Sequence, residues 1–66
     1  MNITINGTNK NVTSAGTLSD IVKTYCKYPK GVITELNGNI IPSALWPQTK
    51  IQDGDTLELV AFVGGG

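Results

Sequence analysis

The chain of 66 residues has no histidine and no arginine, and it has a single cysteine. One cysteine cannot close an internal disulfide, and histidine is the side chain that most often serves as a general base or a metal ligand near neutral pH. We therefore expect no nucleophile and base pair, no metal-ligand cluster and no cofactor. The chain is predicted not to be an enzyme.

Charged residues are also few, and neither sign dominates. Five lysines balance five acidic residues, and the lysines are spread along the sequence. Nucleic-acid binding requires a concentrated basic face that neutralises phosphates, so it is not expected. The sequence has no run of 18 apolar residues and does not open with a charged and then apolar signal segment. These features predict a cytoplasmic protein that does not bind membranes.

Alternating apolar and polar residues predict the strands. Residues 1–5 alternate and lead into Asn6-Gly7, a dipeptide typical of tight hairpins, so a return strand is expected at residues 10–13. Another hairpin is predicted from residues 32–36, a second Asn-Gly pair at 37–38 and residues 39–41. Asp53-Gly54-Asp55 is expected to form a turn before a final strand at residues 56–63.

A change of period after Thr17 predicts one amphipathic helix. Thr17 is a candidate N-cap, and the helix must end before Pro29. Four apolar side chains fall on one stripe at helical spacing: Leu18, Ile21, Val22 and Tyr25. Cys26 continues this stripe, which favours a buried small hydrophobe over a reactive thiol.

The order of elements predicts an α+β fold in which one helix covers one face of a mixed sheet. The short segment at residues 43–46 is expected to lay either Leu45 or Trp46 over the edge of the core. Val60 and Phe62 alternate away from the helix, toward the uncovered face. They are interpreted either as a docking surface or as an apolar rim under a loop.

In sequence order, these motifs resemble those of ThiS-type sulfur carriers of thiamine biosynthesis. The resemblance rests on the first hairpin and helix, residues 37–42, Leu45-Trp46, residues 51–55 and the end Phe62-Val63-Gly64-Gly65-Gly66. It implies a ubiquitin-like β-grasp domain at residues 1–63 and a flexible glycine arm at residues 64–66.

The resemblance also implies a chemical role for the terminus. In that family an ATP-dependent, ThiF-type adenylating enzyme activates the terminal glycine, which becomes a thiocarboxylate and supplies sulfur to thiazole synthase. This role would fall on Gly66, with the sulfur coming from a donor such as a cysteine desulfurase persulfide. Gly64 and Gly65 would thread into the partner, because glycine has no Cβ and allows close approach of an enclosing backbone.

Three alternatives remain open from the sequence. The small subunit of molybdopterin synthase shares the diglycine end and the same activation chemistry. A ubiquitin-like modifier would instead form isopeptide bonds with lysines. A β-grasp interaction module would use its folded surface alone, without chemistry at the terminus.

Overall fold

A computed structural model describes residues 1–12 and 16–61 of the chain. The strands are β1 (Asn2–Ile5), β2 (Thr8–Asn11), β3 (Val32–Leu36), β4 (Asn39–Ile41) and β5 (Thr56–Ala61). The helix α1 spans Leu18–Tyr25, and two 3₁₀ segments span Pro29–Gly31 and Ser43–Gln48. Within the described ranges, no helix is long and apolar enough to cross a bilayer.

The strands form one mixed sheet in the order β2-β1-β5-β3-β4. The last strand of the chain is therefore its central strand, parallel to β1 and antiparallel to β3. The buried side chains of α1 belong to the same core as those of the sheet. The predicted α+β arrangement, one main helix on one face of a mixed sheet, is confirmed.

The two Asn-Gly pairs form the hairpin turns that the sequence predicted. Asn6 and Gly7 have φ of 50° and 81°, and Asn37 and Gly38 have φ of 50° and 88°. Two successive positive φ values are typical of type I′ turns, whose twist matches that of the strands they join. The first turn pairs Ile5 directly with Thr8. The return strand consequently begins two residues earlier than predicted, and Thr13 lies outside the described residues.

Both turn asparagines also bond to β5. The Leu59 N–H donates to Asn6 Oδ1 at 2.8 Å, and Asn6 Nδ2 donates to the Leu59 carbonyl at 3.2 Å. At the other end of β5, the Thr56 N–H donates to Asn37 Oδ1 at 2.9 Å. Each amide side chain thus supplies hydrogen bonds to the backbone of the central strand.

The helix begins as predicted. The Thr17 side chain accepts from the Asp20 N–H, and Asp20 accepts from the Thr17 N–H, which completes a capping box. Leu18, Ile21 and Val22 are buried, but the predicted burial of Tyr25 is wrong, because this side chain is 39% exposed. Tyr25 ends the helix beside the edge strand β2, where Lys10 Nζ lies 5.8 Å from the centre of its ring.

Trp46, not Leu45, closes the core. Its side chain is buried, whereas Leu45 is exposed. The indole Nε1–H donates to Thr34 Oγ1 at 2.9 Å and to the Ile41 carbonyl at 3.0 Å. Thr34 is fully buried, and its hydroxyl also donates to the Ile41 carbonyl at 3.2 Å. The indole N–H of Trp46, the hydroxyl of Thr34 and the carbonyl of Ile41 are therefore hydrogen-bonded to one another beneath the Ser43–Gln48 segment.

We predict that Trp46→Phe lowers the free energy of unfolding by about 1–3 kcal/mol, because the ring is kept but the bonds from its N–H are lost. Urea denaturation measures this change. Leu45→Ala in the same segment should cost less than about 0.5 kcal/mol, because Leu45 is exposed. Equal losses from the two substitutions would contradict the assignment of Trp46 as the closing residue.

We also predict that Asn6→Gly lowers the free energy of unfolding by about 1–2 kcal/mol, since glycine adopts the positive φ but loses both bonds to Leu59. Asn6→Ala should cost more, because alanine adds strain at positive φ. Asn9→Ala, an exposed position in the same hairpin, is the control. If Asn6→Gly and the control have the same free energy of unfolding, the hydrogen bonds from Asn6 to β5 do not contribute to stability.

Candidate functional site

The predicted glycine arm begins three residues after the end of β5 in sequence. Because β5 is parallel to β1, the C-terminal end of β5 is at the same end of the sheet as the Asn6-Gly7 turn, which follows β1. On the other side, Ala61 pairs with Val32 at the start of β3. The predicted site residues Phe62, Gly64, Gly65 and Gly66 lie outside the described residues.

Polar contacts hold the beginning of β5 in place. Asp53 Oδ1 accepts from the Asn2 N–H at 2.6 Å, which ties the turn to β1. Asp55 accepts from the Gln52 N–H at 2.7 Å and from Asn37 Nδ2 at 3.0 Å. The interpretation of both aspartates as turn formers is confirmed. With the bonds from Asn6 to Leu59, β5 is fixed near both of its ends.

The face of the sheet that α1 leaves uncovered carries exposed apolar side chains. Val60 was predicted to point to this face, and it is 54% exposed. It pairs across β3–β5 with Ile33, which is 41% exposed. On β4, Ile40 is 67% exposed and pairs with Glu35, which in turn pairs with Glu58. We call these five residues, Ile33, Glu35, Ile40, Glu58 and Val60, the open face.

Sequence reasoning identified Val60 but missed Ile33 and Ile40. Ile33 could have been found, because it alternates with the buried Val32 and Thr34. Ile40 could not, since Ile40 and Ile41 are adjacent and either could have faced the core. The proximity of these side chains to Val60 depends on strand order, which alternation within one strand does not specify.

Cys26 is half-buried and follows the last residue of the helix. Its N–H donates to the Val22 carbonyl at 2.8 Å, and its side chain packs against the core. Burial raises the pKa of the Cys26 thiol above its ordinary value. A raised pKa leaves less thiolate, the nucleophilic form, at neutral pH, in agreement with the packing interpretation.

The described residues contain no group of three or more histidine, cysteine, aspartate or glutamate side chains that could hold a metal ion. What they do contain is a central strand that is hydrogen-bonded near both of its ends and an apolar face on which Val60 of that strand is exposed. This arrangement can bind a protein surface and present the segment that follows β5.

Comparison with known proteins identifies the family. The model of the ThiS family matches residues 3–66. The sulfur carrier protein ThiS of Bacillus subtilis is 39% identical over 51 residues, which is 77% of each chain. A thiazole synthase of Paramagnetospirillum magneticum is 35% identical over all 66 residues, but the match spans only 20% of that longer protein.

Solved structures agree with the sequence matches. The crystal structure of the ThiS thiamine biosynthesis protein from Geobacter metallireducens superposes with a TM-score of 0.86 at 29% identity, over the whole of both chains. A solution structure of a thiamine biosynthesis protein from the same organism gives 0.83 at 29% identity, over all of this chain and 88% of that one. The predicted ubiquitin-like β-grasp fold is confirmed. The chain therefore belongs to the ThiS family, as a small sulfur carrier of thiamine biosynthesis and not an enzyme.

Proposed function

We propose that the chain carries sulfur as a thiocarboxylate on the α-carboxyl carbon of Gly66. The observation that carries this proposal is the position of β5. Its hydrogen bonds fix the strand in the centre of the sheet, and in sequence it leads within a few residues to three terminal glycines. Three extended residues span about 10 Å, enough for a terminal carboxylate to enter an enzyme while the folded domain stays outside.

The first step is activation of the carboxylate. One Gly66 carboxylate oxygen attacks the α-phosphorus of ATP, the bond to the β-phosphate breaks and pyrophosphate leaves. The product is a mixed anhydride with AMP, in which the carbonyl carbon has become electrophilic. A ThiF-type adenylating enzyme supplies the ATP site, and the glycines allow its backbone to enclose the reacting end.

The second step introduces sulfur. The terminal sulfur of a persulfide, formed by a cysteine desulfurase, attacks the Gly66 carbonyl carbon and AMP leaves. The resulting acyl disulfide is cleaved by a thiolate that attacks the sulfur of the desulfurase cysteine, so a disulfide forms between that cysteine and the thiolate, and the thiocarboxylate leaves with the sulfur bonded to the Gly66 carbonyl carbon. The carrier contributes a carbonyl carbon and an unobstructed approach to it.

Thiazole synthase is the proposed acceptor of the sulfur. The support is the Paramagnetospirillum magneticum protein, which is named thiazole synthase and contains a stretch similar to the whole of this chain. Joining the two sequences in one polypeptide would keep a carrier at high local concentration beside its acceptor.

Docking of the folded domain offsets the entropy that the arm loses when a partner captures it. We propose Val60 and Phe62 as part of the docking surface. Val60 and its neighbour Ile33 are exposed on the face next to the end of β5. A partner that receives the arm therefore meets this apolar surface at the same time.

We predict that the full chain supports exchange of labelled pyrophosphate into ATP by a ThiF-type enzyme. A chain that lacks Gly66 should lose about 100-fold or more of the exchange rate, because its carboxylate no longer reaches the α-phosphorus. Gln48→Lys, an exposed substitution in the 3₁₀ segment, is the control and should exchange normally. Equal exchange by the truncated and full chains would refute the role of Gly66.

The sulfur is predicted to reside on Gly66 and not on Cys26. Because the pKa of the Cys26 thiol is raised, its thiolate fraction at pH 7–8 is below that of a cysteine in a short peptide. Iodoacetamide should therefore alkylate Cys26 more slowly in the folded protein than in urea, where the rate should match the peptide. Faster reaction in the folded state would show an activated thiol and revive a persulfide role for Cys26.

A further inference from the structure

The five acidic residues of the chain fall into two groups. Asp20 caps the helix, and Asp53 and Asp55 accept backbone N–H groups at the turn before β5. Glu35 and Glu58 take no part in these caps and turns. They lie directly opposite each other in the register of β3 and β5, on the open face.

This pairing opposes folding. Like charges at directly opposed positions of an antiparallel pair repel each other, because their Cβ atoms lie about 5 Å apart. The apolar side chains Ile33, Ile40 and Val60 occupy neighbouring positions on the same face. When a partner covers this face, water is excluded from around the two carboxylates, and any opposite charge placed there interacts more strongly.

Two lysines lie beside tyrosine rings, and one of them, Lys10, is on the other face of the sheet. Lys10 Nζ is 5.8 Å from the centre of the Tyr25 ring, and Lys27 Nζ is 5.9 Å from that of Tyr28. Lys10 pairs with the buried Ile3, so it is on the face that the helix covers. The net charge of the chain is zero, yet the open face itself is negative.

We propose that Glu35 and Glu58 form the charged centre of the docking surface and that they bind a lysine or arginine side chain of the adenylating enzyme. The proposal rests on the proposed function, because it assigns a recognition element to the partner that receives the arm. A cation between the two carboxylates converts their repulsion into attraction. Ile33, Ile40 and Val60 supply the apolar contact around it.

The chain length sets where that cation lies. Gly66 is the eighth residue after Glu58 in sequence, and eight fully extended residues span at most about 29 Å. The basic side chain must therefore lie within about this distance of the α-phosphate of ATP in the enzyme. A basic surface further away cannot contact Glu58 while Gly66 is being adenylated.

A second copy of the chain is a poor occupant of the same surface. A two-fold symmetric dimer brings identical patches together. It would set Glu35 and Glu58 of one copy against the same carboxylates of the other, and like charges across an interface disfavour association. The open face is thus suited to a basic partner and unsuited to self-association.

The test compares the chain with Glu35→Gln/Glu58→Gln in pyrophosphate exchange by a ThiF-type enzyme. We expect the KM for the carrier to rise about five- to tenfold at low ionic strength, and the difference to shrink as salt is added. The kcat should stay the same, because neither residue touches the reacting carboxylate. The control Gln48→Lys/Gln52→Lys changes the net charge by the same two units at exposed positions away from the open face, and its KM should not rise.

Thermal unfolding tests whether the double substitution impairs folding. Removing the repulsion should raise the Tm of Glu35→Gln/Glu58→Gln above that of the unmodified chain, so a weaker interaction with the enzyme cannot be attributed to unfolding. An unchanged KM for Glu35→Gln/Glu58→Gln in pyrophosphate exchange would overturn this proposal but would not contradict the proposed function. Absence of exchange with the unmodified chain would overturn both. Sedimentation of the chain as a dimer that both substitutions dissociate would overturn this proposal in favour of self-association.

Discussion

The position of β5 at the centre of the sheet is the constraint on which the rest of the structure depends. β5 is the last strand in sequence, yet it joins the β1–β2 hairpin to the β3–β4 hairpin. β5 pairs in parallel with β1, and residues 6–55 separate the two strands in sequence, so no tight turn connects them. The turn asparagines Asn6 and Asn37 strengthen this long-range junction by bonding directly to the backbone of β5.

In the proposed function, this arrangement separates the folded part of the chain from the part that would react. The core is small, as expected for 66 residues, but its bonds are concentrated around the strand that leads to the terminus. A partner enzyme can therefore bind the domain as a body of fixed shape and take up only the last few residues. On that proposal, only this short segment would lose conformational entropy when a partner binds it.

Local features of the fold were predictable, and long-range ones were not. The Thr17 cap, both Asn-Gly turns and the Asp53 turn follow from chemistry within a few residues, and each lies where the sequence indicated. The exposure of Tyr25 and the pairing of Glu35 with Glu58 depend on which strand lies at an edge or alongside another. That information is distributed over the whole chain, so periodicity alone cannot supply it. The role of Gly66 came from its residue type and from the resemblance of the chain to its family, and it remains a prediction.

The central claim is that this folded domain delivers a terminal carboxylate for conversion to a thiocarboxylate. Intact mass spectrometry tests it most directly, after incubation with ATP, a ThiF-type enzyme and a persulfide donor. We expect a mass gain equal to exchange of one oxygen for sulfur, located on Gly66 and also present in Cys26→Ser. An unchanged mass with an enzyme that modifies its own carrier under the same conditions, or a sulfur adduct located on Cys26, would contradict it.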